Sequence, residues 1–213
     1  MIKKTWFALL IALFLVPSTL LAQGVAIGAR VGTAGIGPEF ALGLSPTVVL
    51  RAGIGMVPLE YTDDIDGQEY TLSLPSSFTT VGVDFYPGGA GVRLMGGVLF
   101  RTGNVEVETP VAVGDEFGGE NATAIGTLSG ELEQKSVAPF AGIGFGKHTA
   151  GGAGIFVDLA VAYAGTADIN ISAPGTGLST QALENEANKI KDDIGDYIKL
   201  WPVINLGLKI PLG

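Results

Sequence analysis

The 213-residue chain has no cysteine. A disulfide framework, a thiolate metal site and a lipid-modified N-terminal cysteine are therefore excluded. Charge is scarce as well, at 15% of residues, and mean hydropathy is +0.43. Yet after residue 22 there is no unbroken apolar run long enough for a membrane-spanning helix. High hydropathy without such a run spreads apolar side chains over many short segments, as transmembrane β-barrels do. The net charge of −9 makes nucleic acid an unfavourable partner.

What is present begins with a targeting pattern. Lys3 and Lys4 form a basic start, Trp6 to Val16 an apolar core too short to span a bilayer, and Pro17 ends it. Ser18-Thr19-Leu20-Leu21-Ala22 then leads to an expected cleavage after Ala22. Residues 1–22 thus read as a cleaved signal peptide and 23–213 as one domain.

The remainder alternates with period two. The pattern predicts eight strands near 25–32, 36–44, 47–57, 70–86, 91–102, 136–146, 153–164 and 200–210. Turn chemistry separates several of them: Ser45-Pro46, Pro87-Gly88-Gly89, and Lys147 to Gly152. The other connections are the short Thr33–Gly35 turn and three long segments near 58–69, 103–135 and 165–199. An even number of strands, with short turns on one side and long loops on the other, is the pattern of an outer-membrane barrel. A signal peptide would leave the N-terminus, and so the short side, in the periplasm. The expected fold is all-β, an eight-stranded antiparallel up-and-down barrel with one short helix before the last strand.

One strand face carries Ile27, Val31, Phe40, Leu50, Ile54, Val81, Val83, Leu94, Phe100, Ile143, Leu159, Leu206 and similar residues, and no charge. The other carries Arg30, Glu39, Arg51, Asp84, Arg93, Arg101, Asp158, Asn205 and Lys209, interspersed with glycine and alanine. A soluble sandwich also has one apolar and one polar face. The small residues separate the two cases. Glycine and alanine make a poor water-facing sheet surface, whereas a narrow barrel interior needs them beside its few large side chains. The polar set is thus expected inside the lumen as a charge network, paired because a lone buried charge is costly. With a tight Pro87–Ala90 turn, Asp84 would lie directly opposite Arg93.

All but three of the 21 acidic residues fall in the long connections. The second of these, with Val105-Glu106-Val107-Glu108 and parts of Ala122 to Glu133, is expected to extend its flanking strands. The third is expected to hold a helix near 180–198, because Leu183, Ala187, Ile190, Ile194 and Tyr197 form one apolar stripe. That stripe should pack on the barrel mouth or on neighbouring loops.

Several segments resemble the small outer-membrane barrels of Gram-negative bacteria, the group of OmpA, OmpX and OmpW-like barrels. They are Asp84-Phe85-Tyr86-Pro87, Gly91-Val92-Arg93-Leu94-Met95-Gly96-Gly97, Ala138-Pro139-Phe140-Ala141-Gly142-Ile143-Gly144-Phe145-Gly146 and Trp201-Pro202-Val203-Ile204-Asn205-Leu206-Gly207. The resemblance implies an eight-stranded barrel of the bacterial outer membrane, inserted by the barrel-assembly machinery and surrounded by lipid and lipopolysaccharide. Such proteins usually end in an aromatic residue, and this sequence ends Lys209-Ile210-Pro211-Leu212-Gly213. Phe40, Phe85, Phe100, Phe145 and Tyr163 are the candidates for aromatic girdles.

Catalytic patterns are weak. The single histidine, His148, lies in an expected short turn with no convergent nucleophile, and reads as a solvated turn residue. Asp63-Asp64-Ile65-Asp66-Gly67 fails the spacing of a calcium loop. No catalytic, cofactor or metal residue is assigned. The leading reading is a non-enzymatic envelope barrel, with a structural or surface-interaction role and acidic loops displayed outward. Its lumen would be plugged by paired charges and by Phe140, Phe156 and Trp201. The alternative is a narrow channel, or a lateral path for small or hydrophobic solutes, motivated by the many small interior residues. An envelope enzyme and a soluble secreted β protein are the remaining classes. The surface ligand is not specified by any motif.

Overall fold

The computed structural model describes residues 24–57, 60–65, 68–89, 91–149, 152–194 and 198–212. The segment read as a signal peptide lies outside them. Eight strands close into a barrel: β1 (Val25–Gly32), β2 (Gly37–Ser45), β3 (Val48–Met56), β6 (Ser77–Phe85), β7 (Val92–Thr102), β12 (Val137–Phe145), β13 (Gly154–Tyr163) and β15 (Leu200–Pro211). Around the wall the order is β1, β15, β13, β12, β7, β6, β3, β2, and every pairing is antiparallel. Closure leaves no exposed sheet edge, which is what a chain without water at its flanks requires.

The long connections all rise from one end, and they are not loops in the ordinary sense. The first supplies β4 (Glu60–Ile65) and β5 (Gln68–Ser73), the second β8 (Val105–Val111) and β11 (Gly126–Glu133), the third β14 (Asp168–Ser172). These five strands form a second sheet in the order β14, β11, β8, β5, β4. A small hairpin, β9 (Glu116–Phe117) with β10 (Glu120–Asn121), sits beside it. The sheet corrects two sequence expectations. The strand expected over 70–86 is two strands, β5 in the outer sheet and β6 in the barrel, separated by Leu74, Pro75 and Ser76. Pro75 lacks the N–H that a continuous ladder would need. Similarly, β8 and β11 do not extend the barrel wall but pair with each other, and with β5 and β14, in the separate sheet.

The helix expected over 180–198 is α1 (Thr180–Ile194). Ser179 caps its start: the Ser179 hydroxyl accepts from the Ala182 N–H at 3.1 Å, and donates to Glu120 at 2.6 Å. Its apolar side packs on the outer sheet, where Leu183 joins Val111, Ala122, Leu128 and Ala173.

The barrel wall follows the expected faces. Ile27, Val31, Phe40, Leu50, Ile54, Val81, Leu94, Phe100, Ile143, Leu159, Val161 and Leu206 are exposed on the outside. Phe85, Phe145 and Tyr163 are exposed near strand ends, where girdle aromatics belong. This continuous apolar belt is a surface that fits lipid and not water. Inside, glycine makes room for the large side chains. A Cβ at Gly144 would reach 2.5 Å from Arg93 Cζ, and Cβ atoms at Gly82 and Gly97 would each stand 3.0 Å from the Phe140 ring.

Leu159 lies near the middle of β13 and faces outward. Leu159→Arg should cost roughly 2–4 kcal/mol of insertion free energy at the centre of a bilayer. Refolding into lipid vesicles, read by heat-shifted gel mobility, should show a lower folded fraction for Leu159→Arg than for the inward-facing Ala162→Ser. Equal yields would show that the belt does not meet lipid.

Candidate functional site

Period two places inward residues of different strands in one layer, and the register decides which of them meet. Arg51, on β3, is the centre. Its Nε lies 2.8 Å from Asp84 Oδ2, and its Nη1 lies 2.9 Å from Asp158 Oδ2 and 3.2 Å from Glu39 Oε2. Arg93, on β7, meets the same Asp84 oxygen through Nε at 2.9 Å and also pairs with Asp158. Its Nη1 donates to the carbonyls of Phe145 (2.9 Å) and Gly146 (2.7 Å). Arg30 reaches Glu39 at 3.6 Å and donates to the Thr80 hydroxyl at 2.7 Å. Three guanidinium groups therefore face three carboxylates across the lumen, and all six residues are buried, Arg93 at 0% and Asp84 and Asp158 at 1% exposure. Burial on this scale is tolerable only where charge is balanced and its lone pairs are occupied.

Of the nine polar residues expected in the lumen, the structure joins Arg30, Glu39, Arg51, Asp84, Arg93 and Asp158 directly. Asn205 and Lys209 also point inward, in register with Asp158 and Gly154. Arg101 is placed elsewhere. It donates to the Gln134 carbonyl (2.9 Å) and side chain (3.1 Å) at the end of the barrel that carries the outer sheet. Gln134 in turn donates to the Ile198 carbonyl at 2.6 Å, so Arg101 fastens the outer sheet to the barrel rim. The expected register is corrected: Asp84 stands opposite Met95, not Arg93. The connection from Tyr86 to Gly91, with a 3-10 turn at Pro87–Gly89, is too long for the tighter pairing. The long, diagonal reach of Arg93 makes the ion pair regardless.

His148 is the residue that sequence reasoning placed wrongly. It is not solvated but 1% exposed. The connection after β12 turns its ring into the end of the lumen. There Nε2 lies 2.9 Å from Glu39 Oε1, and Nδ1 lies 3.1 Å from the Tyr86 hydroxyl. The same hydroxyl accepts from the His148 N–H at 3.2 Å. The Phe156 ring stands 4.6 Å away, centroid to centroid. His148 and Tyr86 both lie outside the strands, so alternation carried no signal for either. Burial lowers the His148 imidazole to about 4, so it is neutral at neutral pH and leaves the three-to-three charge balance intact. With Tyr86 donating to Nδ1, the proton sits on Nε2 and is given to Glu39.

No family model matches the chain, and no curated protein sequence matches it. Solved structures do match in fold. The chain is similar to CarO of Acinetobacter baumannii, with 22% identity and a TM-score of 0.64 over 88% of this chain and 97% of that one. A second form, Acinetobacter baumannii CarO2, has 19% identity and a TM-score of 0.65 over 89% and 98%. A major outer membrane protein from Thermus thermophilus aligns at 14% identity with a TM-score of 0.43, too low to carry an argument. The likeness is to the barrel fold; no family model places the chain among the OmpA, OmpX or OmpW families.

The His148 contact has a pH consequence. The unfolded chain takes up a proton near 6.5, the folded one only near 4. Above about 6.5 both states hold a neutral ring and stability does not change through this group. As pH falls from 6.5 towards 4, the unfolded state gains a proton that the folded state lacks, so stability is lost. His148→Gln should remove that part of the loss. Thermal unfolding followed by gel mobility at about pH 7.5 and about pH 4.5 should show a smaller drop for His148→Gln than for the native protein. An identical drop would mean that another group causes the acid sensitivity.

Proposed function

We propose that the chain is an integral, non-enzymatic protein of the bacterial outer membrane. Its lumen is closed by the charge cluster, and its role is structural or surface-interacting. The observation that carries this reading is the layer of three guanidinium groups against three carboxylates, packed with His148, Phe156 and Met95 in a barrel only just wide enough for its side chains. The apolar belt supports placement in a membrane among lipid and lipopolysaccharide, and the likeness of fold to CarO supports a barrel of that kind. The barrel-assembly machinery would insert it. The side of the long connections would face outward, presenting the acidic outer sheet.

A second reading has one specific observation in its favour. Nε and Nη2 of Arg30, Nε1 of Trp201 and Oδ1 of Asn205 are buried without a hydrogen-bond partner among the described residues. Groups of this kind are normally satisfied by water. A wet chamber in the lumen would be one part of a narrow transport path, which the charge cluster would have to open.

Refolded protein whose heat-shifted mobility proves it folded should leave a planar bilayer electrically silent. Discrete steps proportional to salt concentration would overturn the closed-lumen reading in favour of transport.

A further inference from the structure

Between α1 and the outer sheet lies a cavity of about 480 Å³, within the usual range for small-molecule sites of roughly 300–1,000 Å³. Packed protein interiors leave few voids larger than one water molecule. The void has an identifiable cause. The first half of α1 is seated in the cluster around Leu183, Val111 and Leu128. Beyond it the helix runs beside β14 at the sheet edge, and among the described residues of its later turns Glu186 and Ile190 line the space. Opposite them, Val107, Leu132 and Ile169 form an apolar wall.

The floor of the cavity is Gly130, in the middle of β11, paired with Val107 on one side and Ile171 on the other. Glycine weakens a strand interior and is usually there for a reason. No backbone reason applies, because Gly130 is not among the glycines with positive φ. A Cβ at this position would meet only the Val107 carbonyl, at 3.9 Å. What glycine preserves here is the empty space above it.

The charge of the lining selects the occupant. One acidic side chain, that of Glu186, lines the cavity from α1, and among the described residues no basic one does. Glu186 commits Oε2 to a structural hydrogen bond from the Gly118 N–H at 2.9 Å, and has a second oxygen to offer. Beyond the rim, Glu131, Glu106 and Glu108 on the other sheet face make the surroundings more acidic. An anionic amphiphile would meet unbalanced repulsion, whereas a positive head would be paired. We propose that this cavity binds a small molecule with an apolar body and a positively charged amine head, the body over Gly130 and the amine at Glu186. The site lies outside the barrel and does not depend on whether the lumen conducts.

The test uses the full barrel in lipid nanodiscs, with calorimetric titration of three probes that share one body: 4-phenylbutylamine, 4-phenylbutanol and 4-phenylbutyrate. The amine should bind, the alcohol more weakly, and the acid not at all. Gly130→Val fills the floor with a residue that favours strands, and should weaken amine binding by at least about tenfold with unchanged heat-shifted mobility. Ile190→Trp fills the same space from the helix and serves if Gly130→Val does not fold. Glu186→Gln should bring the amine's affinity down to that of the alcohol. Amine uptake that neither filling variant reduces is partition into the lipid and overturns the proposal. So does equal binding of amine and acid, or no binding to the native protein.

Discussion

Closing eight strands into a barrel leaves a lumen one layer of large side chains wide, and in this protein that layer is ionic. A single unmatched charge there would cost several kcal/mol, so the six charged residues stand or fall together. Arg51 touches all three carboxylates and Arg93 two of them. The six come from β1, β2, β3, β6, β7 and β13, so the cluster ties most of the wall to one point. Much of the rest follows from this crowding. Gly144 is small because the Arg93 guanidinium lies over it, and Gly53 because that of Arg30 does. His148 is neutral because the crowded lumen buries its ring away from water.

Outside the wall the demands reverse. The belt carries apolar side chains and no charge among the described residues, and its backbone polar groups are paired strand to strand around the closed barrel. Beyond the belt, the long connections use the acidic residues that the wall rejects. They fold these into a second sheet with a polar face of Glu106, Glu108, Ser129 and Asn170 and an apolar face under α1. Arg101, Gln134 and Asn104 connect the two bodies by hydrogen bonds at the rim. The chain thus separates a closed, charge-balanced barrel from a folded acidic head that carries its own cavity.

Alternation made the barrel readable from sequence, because a two-residue period and a one-sided distribution of charge survive without any knowledge of contacts. Seven of the eight expected wall strands lie where the pattern put them, and the helix lies within its expected range. The eighth was merged with β5 because residues 70–86 are uniformly strand-like and only Pro75 marks the break. The outer sheet was hidden because its strands come from three separate connections, and pairing between distant segments leaves no local trace. The inward charges were legible as a set, but their partners were not. Register shifts with the length of each turn, and long arginine side chains pair diagonally, as Arg93 does with Asp84. His148 and Tyr86 lie between strands, where the period ends, so their entry into the lumen had no sequence signal. Gly130 looked like any other glycine in a glycine-rich chain until the space above it was visible.

The dependence of the fold on a balanced lumen is tested most directly by a double-mutant cycle on Arg93 and Asp158, using equilibrium unfolding of the refolded barrel. Arg93→Leu and Asp158→Leu should each destabilise strongly, by about 3–5 kcal/mol, because each leaves the buried cluster with one unmatched charge. Together they remove one charge of each sign, so the double variant should lose far less than the sum of the two. Simple additivity would contradict the account, since it would mean that the two residues stabilise the barrel independently and that charge balance in the lumen does not govern its stability.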